Sequence, residues 1–459
     1  MTLNKTETSV ELAQIEEMID QRKEAYLETL YKLLRIESIS AQNKGIDEAC
    51  EMIKEEMEAA GIATTIIPYA GNPFVYGEII KDPEAFTLLI YGHYDVQPPD
   101  PVDEWLSPPF EPTIRDGKIY CRGVGDNKGQ LMAQILAIKS YIDTAGELPI
   151  NVKFIFEGEE EISSPNLASF VADNKELLKA DLVYTSDGPK HDSGAPLVLL
   201  GVRGLTYIEL KAKGAKWDNH SGNKGNISPN PAWKIIDLLN TMRDPDGRIL
   251  IDGFYDHIRP ITKKEEELIR NLPFDKANIA EQIGYDQFDL EKEDYYRKLT
   301  MEPTFNIAGF TSGYGGEGSK TIIPSTATLK MDIRLVVDQD PEDVFNKFAA
   351  HAKKYAPDIE VKNLGGMKPS RTPADLEIVG VVTNAVRNAF RQEPVLQPGM
   401  GGSLPDYVWT DVLETPSIII PYANFDEANH SPNEKMGVDD FVNGMKCTCH
   451  VIAEIAKHR

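Results

Sequence analysis

Acidic residues and histidines occur in short clusters that follow apolar segments of this sequence. His93 and Asp95 come directly after one such segment, Glu159–Glu161 follow a second, and Asp187 follows a third. Imidazole and carboxylate groups without cysteine are typical of catalytic zinc, manganese or cobalt sites rather than of closed structural zinc sites. The residue types therefore predict a metal centre that activates water.

Two further residues favour a centre with two metal ions. Asp126 lies just before a predicted helix, and His430 follows the last predicted strand. Two divalent ions about 3.5–4 Å apart can hold a water and a substrate oxygen between them. So many carboxylates brought together repel one another unless cations neutralise them. Taken singly, Asp95 also fits a helix cap and Glu157–Glu161 a solvated acidic turn, but the combination favours metal binding.

The elements that must position these residues alternate between strand and helix. The predicted strands are Phe86–Tyr91, Asn151–Phe156, Asp181–Tyr184 and Ser417–Ile420. The predicted helices are Ile15–Leu34, Ile46–Ala60, Leu131–Tyr141 and Ala374–Phe390. This alternation predicts an α/β fold with helices on both faces of a sheet. Because ligands bind at the carboxyl ends of the strands in such sheets, we expect the clusters to converge on one site.

A second, smaller unit is predicted between residues 201 and 372, inserted into a catalytic metal-binding domain formed by residues 1–200 and 373–459. Its pattern is that of an α+β unit. The expected elements are paired strands at Val198–Val202 and Thr206–Lys213, a helix at Pro231–Met242, a polar stretch at Lys263–Lys298, a strand at Thr326–Val337, a helix at Pro341–Tyr355 and a strand at Ile359–Val361.

Composition limits the class of protein. A chain of 459 residues exceeds one ordinary core, and its formal net charge of −25 disfavours nucleic acid and anionic membranes as partners. The four cysteines form no CxxC pair, which favours a reducing compartment. The chain starts without a secretory signal pattern, and no apolar run approaches the ~20 residues that span a bilayer. We therefore expect a cytoplasmic protein.

Several short sequence motifs match those of one enzyme family. They occur in the same order as in that family and cover nearly the whole chain. They are Tyr91-Gly-His-Tyr-Asp-Val-Gln-Pro98, Asp103-Glu-Trp-Leu-Ser-Pro-Pro-Phe110, Arg122-Gly-Val-Gly-Asp-Asn-Lys-Gly129, Glu157-Gly-Glu-Glu-Glu161, Asp218-Asn-His-Ser-Gly222, Gly402-Ser-Leu-Pro405 and His430-Ser-Pro-Asn-Glu434. The chain resembles the metallopeptidase family of acetylornithine deacetylase, succinyl-diaminopimelate desuccinylase, aminoacylase and carnosine dipeptidase. It is most similar to the cytosolic non-specific dipeptidase branch.

The resemblance implies a mixed-sheet catalytic domain of the zinc-exopeptidase type with an inserted α+β lid and dimerisation domain. It also implies two divalent ions per chain, zinc in the first place, with manganese and cobalt as alternatives. Asp126 would bridge the two ions. His93 and Asp187 would complete one site, and Glu161 and His430 the other.

The same resemblance assigns the proton transfer. Glu160 would be the general base for the bridging water, and Asp95 would orient His93. Glu159 and Glu160 are an alternative base-and-ligand pair in the triple-glutamate segment, although the register of Glu157 favours Glu160 and Glu161. A cis peptide bond is also implied between Asp126 and Asn127.

Four residues outside the metal site would bind a small peptide substrate. His220 would reach the scissile carbonyl from the neighbouring subunit of a homodimer and stabilise the oxyanion. Thr321, Arg334 and Ser403 would hold the substrate's carboxylate end, for which a guanidinium is well suited. Without the resemblance, His220 fits a histidine in a polar loop and Arg334 a salt bridge on the surface of a strand.

These patterns favour a metal-dependent hydrolase that cleaves the peptide bond of dipeptides or short peptides. A deacylase of N-acyl amino acids is the alternative within the same chemistry, and an inactive, metal-free binding homologue is the alternative outside it. The glycine-rich segment Gly313–Thr321 resembles a phosphate-binding loop, but Ser319 interrupts the motif and a strand is predicted after it instead of a helix. We therefore reject nucleotide binding.

Overall fold

The computed structural model describes residues 5–458, which form helices packed on a large mixed sheet and on a smaller antiparallel sheet. The helices are α1 (Lys5–Gln21), α2 (Lys23–Leu34), α3 (Ile46–Ala59), α4 (Lys128–Ala145), α5 (Leu167–Asp173), α6 (Lys175–Leu178), α7 (Ser221–Lys224), α8 (Pro231–Met242), α9 (Lys263–Asn271), α10 (Lys276–Ile283), α11 (Lys292–Thr300), α12 (Pro341–Tyr355), α13 (Glu377–Phe390) and α14 (Val438–Lys457). The strands are β1 (Ala63–Ile67), β2 (Phe74–Ile79), β3 (Thr87–His93), β4 (Thr113–Arg115), β5 (Lys118–Tyr120), β6 (Asn151–Glu157), β7 (Leu182–Thr185), β8 (Leu197–Leu199), β9 (Gly204–Lys213), β10 (Asn219–His220), β11 (Asn306–Ser312), β12 (Ile322–Ile323), β13 (Thr326–Leu335), β14 (Glu360–Met367), β15 (Val395–Gln397), β16 (Ser417–Ile419) and β17 (Lys435–Gly437). Within residues 5–458, none of the helices is both long enough and apolar enough to cross a membrane.

The large sheet has eight strands in the order β1-β2-β6-β3-β7-β16-β8-β15. At its centre β3 runs parallel to both β6 and β7, and β16 runs parallel to β7. Strand β2 pairs antiparallel with β1 and β6, so the sheet is mixed. The predicted α/β class with a mixed sheet is confirmed.

Both faces of this sheet are covered, because the side chains of its central strands alternate between two apolar clusters. In β3, Leu88 and Ile90 pack among residues of α2, α3, α4, α13 and α14. Leu89 and Tyr91 point to the other face, where α5 and the turn at Trp409 lie. A strand buried on both faces appears in sequence as a continuous apolar run, which is why β3 and β6 could be predicted.

The smaller sheet has four antiparallel strands in the order β11-β13-β9-β14. Strands β9 and β13 pair over ten residues each, from Gly204 opposite Leu335 to Lys213 opposite Thr326. Helices α8 and α12 cover one face and share a separate apolar cluster with it. Both helices begin at the predicted proline, after Asn230 and Asp340 whose side chains accept backbone N–H groups of the first turn. The division at residues 200 and 372 remains a prediction.

One predicted pairing is wrong. Val198–Val202 does not pair with Thr206–Lys213, because β8 runs parallel to β15 in the large sheet while β9 belongs to the small one. The chain passes from one sheet to the other at Arg203. The burial pattern gives the reason: all three residues of β8 are buried, whereas one face of β9 is partly exposed.

Two other segments differ from the prediction in detail. The expected first helix is broken at Arg22 into α1 and α2. The polar stretch Lys263–Lys298 contains most of three helices, α9, α10 and α11. Helix α9 starts at a capping box in which Thr262 and Glu265 satisfy each other's backbone N–H groups. The high charge of this stretch hides the few apolar positions that bury these helices, such as Leu268 and Ile269.

Candidate metal centre

The carboxyl ends of three parallel strands bring the predicted metal residues to one edge of the large sheet. Strand β3 lies between β6 and β7 and ends at His93, which is opposite Glu157 at the end of β6. Glu160 and Glu161 follow β6 in a short 3₁₀ turn, and Asp187 follows β7. The sheet topology therefore brings three segments that are distant in sequence into one cluster.

The first metal-ligand group consists of His93, Asp126 and Asp187, all buried. The Nε2 atom of His93 lies 3.1 Å from Oδ1 of Asp126 and 3.8 Å from Oδ2 of Asp187. Asp126 comes from the turn before α4, where the peptide bond to Asn127 is cis. The side chain of Asn127 accepts the backbone N–H of His93 at 3.3 Å and donates to the carbonyl of Ser186 at 2.7 Å.

The second group consists of Asp126, Glu161 and His430. The Nε2 atom of His430 lies 3.1 Å from Oδ2 of Asp126 and 3.0 Å from Oε2 of Glu161. His430 has a positive φ of 57°, and its side chain is 54% exposed, so this side of the centre faces solvent. Asp126 therefore offers one oxygen to each histidine, which is the arrangement of a bridging carboxylate.

The donor set fits a pair of divalent cations. Nε2 of His93 is fully buried and has no hydrogen-bond partner among the described residues, although it points at two carboxylates. A neutral imidazole nitrogen with carboxylate oxygens and no thiolate suits zinc, manganese or cobalt. Each group supplies three protein ligands, which leaves room for water or substrate at a catalytic ion.

Electrostatics also favour bound cations, because the buried carboxylates and histidines of the cluster shift one another's pKa values. Burial and the charge of Asp126 raise the pKa of Asp187 to about 7. Hydrogen bonds that His430 donates to the carboxylates of Asp126 and Glu161 raise its pKa to about 10. Burial raises the pKa of Asp126, yet the two histidines lower it below its ordinary value. Carboxylates packed this closely need positive charge, and cations supply it.

Asp95 holds both the first histidine and the glutamate turn. Nδ1 of His93 is 3.1 Å from the Asp95 carbonyl oxygen and 3.4 Å from its Oδ1 atom. The Asp95 carboxylate also accepts the backbone N–H groups of Glu160 and Glu161, at 3.2 and 3.1 Å. Asp95 thus holds the imidazole of His93 and the backbone of Glu160 and Glu161.

The three glutamates of the turn have different surroundings. Glu159 accepts hydrogen bonds from the backbone of Asn72 at 3.1 Å and from the side chain of Asn166 at 2.7 Å, so it ties loops together. Glu161 contacts His430. The pKa of Glu160 is well above its ordinary value because of burial, despite the opposing charge of His93. Glu161 belongs to the second metal-ligand group and Glu159 and Glu160 do not, while the role of Glu160 as general base remains a prediction.

Sequence reasoning missed Glu434. This buried carboxylate accepts the backbone N–H groups of Gly123, Gly125 and Asp126 at 3.0, 2.9 and 3.1 Å, and it pairs with Arg122 at 2.8 Å. It therefore shapes the loop that carries Asp126. Glu434 stands in the His430–Glu434 string, but nothing in the sequence links it to a loop more than three hundred residues earlier.

Gln97 and Glu427 were also missed. Gln97 donates its backbone N–H and its side-chain amide to the carboxylate of Glu161, at 3.2 and 3.0 Å. Glu427 is buried, and neither carboxylate oxygen has a partner among the described residues. Burial, followed by the negative charge of Asp126, raises its pKa well above the ordinary value. Only the tertiary structure brings these residues to the centre.

The four predicted substrate residues form two contact pairs apart from the metal groups. Arg334 donates from Nη1 to the hydroxyl of Ser403 at 2.7 Å. Nε2 of His220 lies 3.5 Å from the hydroxyl of Thr321, and Nδ1 of His220 accepts the backbone N–H of Gly222 at 3.0 Å. His220 and Thr321 are exposed, on neighbouring strands β10 and β12 or beside them.

The glycine-rich segment Gly313–Thr321 leads into β12 and not into a helix. A phosphate-binding loop needs the N-terminus of a helix to receive the anion. The rejection of nucleotide binding at this segment is therefore supported by the local structure.

Comparison with known proteins gives consistent results. The model of "Peptidase family M20/M25/M40" matches residues 89–454. The chain is 28% identical to the Beta-Ala-His dipeptidase of Rattus norvegicus, covering 97% of this chain and 96% of the relative. It is 29% identical to the Cys-Gly metallodipeptidase DUG1 of Saccharomyces cerevisiae, covering 95% and 96%. The crystal structure of an M20 family metallo-carboxypeptidase from Sulfolobus solfataricus superposes with a TM-score of 0.87 at 37% identity, covering 94% of this chain and 99% of that one.

Proposed function

The chain belongs to peptidase family M20/M25/M40, a family of metal-dependent peptidases, and we propose that it hydrolyses the peptide bond of dipeptides and other short peptides with a free carboxyl terminus. The observation that carries the proposal is the position of Asp126, whose two oxygens each face one histidine at 3.1 Å. A carboxylate shared in this way is what a two-metal hydrolytic site requires. The similar proteins are dipeptidases and a carboxypeptidase, which supports this choice of substrate.

The proposed ligands are His93 and Asp187 on one side, Glu161 and His430 on the other, and Asp126 between them. Two divalent ions bound there would supply Lewis acidity and lower the pKa of a water molecule. Zinc is proposed first, with manganese or cobalt as alternatives, because all three accept imidazole and carboxylate ligands.

Glu160 is the proposed general base. It would take a proton from the attacking water and pass it to the leaving amine, so that the amine departs in neutral form. Its position supports this role, because it directly precedes the proposed ligand Glu161 and its backbone is held by Asp95, whereas Glu159 is engaged with Asn166. Asp95 is a positioning residue, since it holds the imidazole of His93 and the backbone of Glu160.

The substrate's carboxylate end is assigned to Arg334, Ser403 and Thr321. A guanidinium and a hydroxyl can bind the two oxygens of a carboxylate together. His220 is proposed to donate to the oxyanion of the tetrahedral intermediate from the partner subunit of a homodimer. Its exposure supports this assignment, because the contacts described for it are with Thr321 and Gly222.

Three broader expectations complete the proposal. Residues 1–200 and 373–459 form the catalytic domain, and residues 201–372 form the lid and dimer interface. The protein works in the cytoplasm, which is consistent with four buried cysteines that are all free. Small peptides are the expected partners, and the net charge of −25 argues against nucleic acid.

The experiment that tests this proposal combines elemental analysis with a substrate panel of dipeptides, tripeptides and N-acetyl amino acids. Each substrate is assayed with and without added zinc, manganese or cobalt. About two metal ions per chain and metal-dependent cleavage of dipeptides are expected. Cleavage of N-acetyl amino acids alone would identify the protein as a deacylase. A protein that neither contains metal nor cleaves any of the substrates would be an inactive homologue.

A further inference from the structure

Arg203 lies at the point where the chain passes from the large sheet to the small one, directly before β9. Its backbone N–H is shared between the carbonyl oxygens of Met400 and Gly402, at 3.2 and 3.1 Å. It therefore joins the start of β9 to the loop 399–403, which carries Ser403.

The side chain of Arg203 strengthens the same connection. Nε donates to the carbonyl of Gly401 at 3.0 Å, while Nη1 donates to the carbonyls of Lys298 and Glu302 at 3.4 and 3.3 Å. The residue is only 7% exposed. A Cβ atom at Gly401 would lie 2.9 Å from the side chain of Leu299 and 3.1 Å from Nη2 of Arg203, so the loop is packed tightly against this guanidinium and the end of α11.

The residue that follows this clamp is Ser403, whose hydroxyl accepts from Arg334 at 2.7 Å. Arg203 thus holds Gly401 and Gly402, the two residues directly before Ser403, and Ser403 belongs to the pair assigned to the substrate's carboxylate. The planar guanidinium, with donors in a fixed fork, suits a residue that must hold several carbonyl oxygens in a defined relative position.

The guanidinium of Arg203 is buried and donates to backbone carbonyl oxygens. Burial and, after it, the charge of Arg334 lower the pKa of the Arg203 guanidinium to about 10, whereas Asp332 acts in the opposite direction. Among residues 5–458, Arg203 bonds only to carbonyl oxygens, and Asp332 is hydrogen-bonded to Asn306 at 2.7 Å.

We propose that Arg203 is a positioning residue for carboxylate recognition: it fixes the loop 399–403 so that Ser403 meets Arg334. This inference rests on the proposed function, which assigns the carboxylate end to Arg334 and Ser403. Arg203 itself does not touch the substrate. A purely structural link between α11 and the loop is the competing explanation.

The test compares an alanyl dipeptide with the same dipeptide amidated at its carboxyl end, using the metal-loaded full chain. For Arg203→Lys and Arg203→Met, KM for the free dipeptide is expected to rise on the order of tenfold, while kcat changes by less than about twofold. Hydrolysis of the amide is expected to stay the same. Arg297→Met is the matched control, because it removes a cation from α11 whose partner is Glu266 and not the loop.

A double-mutant cycle supplies the second readout. If Arg203 positions Ser403, Ser403→Ala must raise KM for the free dipeptide by a smaller factor in the Arg203→Lys background than in the wild type. Additive effects, or equal losses on the dipeptide and its amide, would overturn the inference in favour of a structural link. Arg203→Lys keeps the charge and the long side chain, so the cycle remains decisive even if Arg203→Met does not fold.

Failure of the proposed function would look different. In that case the wild type itself would not prefer the free dipeptide to the amide, and Arg334→Met would not change the ratio of the two rates. If both of these controls behave as expected and the Arg203 variants match the wild type, only the positioning role is overturned.

Discussion

Glu434 accepts the backbone N–H of Asp126 at 3.1 Å and so holds the proposed bridging residue from a distant part of the chain. The second oxygen of Glu434 binds Arg122 at 2.8 Å, and both side chains are almost completely buried. The loop between Arg122 and Asp126 is therefore wrapped around one carboxylate. Because Asp126 is the proposed bridging ligand, we expect the contacts that hold this loop to affect metal binding.

The first prediction concerns this support. Glu434→Gln removes the charge that compensates buried Arg122, so the free energy of unfolding is expected to fall by about 3–5 kcal/mol, measured by urea denaturation of the metal-free protein. Glu393→Gln is the control, because its ion pair with Arg387 is exposed and its loss is expected to cost less than about 1 kcal/mol. Equal effects of the two substitutions would show that the Glu434 contacts do not stabilise the loop.

The second prediction separates the adjacent glutamates. Glu160→Ala is expected to lower kcat by two or more orders of magnitude while metal content stays near two ions per chain, because it removes the proposed base and no proposed ligand. Glu159→Ala is the matched variant next to it and is expected to affect stability more than kcat, since Glu159 holds Asn166 at 2.7 Å. Near-normal turnover in Glu160→Ala would assign the base to another residue.

The third prediction tests whether Asp126 is a ligand shared by two metal ions. Asp126→Ala is expected to reduce the occupancy of both ions, because its two oxygens face the two different groups. His430→Ala is expected to reduce only one, since His430 contacts only the second group. Elemental analysis after dialysis against a defined zinc concentration distinguishes the two variants. A loss of one ion in both cases would contradict the bridging role of Asp126.

The fourth prediction is a pH dependence of stability away from the metal centre. Arg371 pairs with Glu265 at 2.8 Å, with both side chains nearly buried. Burial raises the pKa of Glu265, but the backbone N–H of Thr262 and the charge of Arg371 together lower it below its ordinary value. A depressed folded-state pKa contributes stability above the unfolded pKa, about 4.3, and that contribution is lost as the pH falls through the folded value.

Glu265→Gln should therefore be less stable than the wild type at pH 7, and the difference in free energy of unfolding should shrink as the pH is lowered below about 4. Thermal or urea unfolding of the metal-free proteins across this range gives the measurement. Glu267→Gln on the same helix is the control, because its ion pair with Lys264 is exposed. A constant difference at all pH values would mean that packing, and not ionisation, accounts for the loss.

Several elements of both sheets and of the helices packed on them could be predicted because their signals are local. Strands β3 and β6 are continuous apolar runs, and α8 and α12 begin at prolines preceded by capping residues. The assignment of β8 failed because three apolar residues carry no information about which sheet they join. Helices α9, α10 and α11 were missed because their polar faces dominate the composition of the segment.

The sequence by itself determined the type of chemistry. Histidine and carboxylate residues at the ends of predicted strands indicated a metal centre, and the structure brings His93, Asp126, Glu161, Asp187 and His430 together in two groups. This was possible because the topology of a parallel sheet sends the carboxyl ends of its strands to one edge, so that order along the chain carries information about position.

Only the tertiary structure decided how these residues are supported. Three contacts show this: Glu159 binds Asn166, Glu434 binds the backbone of Asp126, and Arg203 binds the loop before Ser403. The last two join segments that are distant in sequence. Such contacts depend on how whole elements pack against one another. Local periodicity and residue type determine which elements form, but they do not determine which side chains meet once those elements have packed.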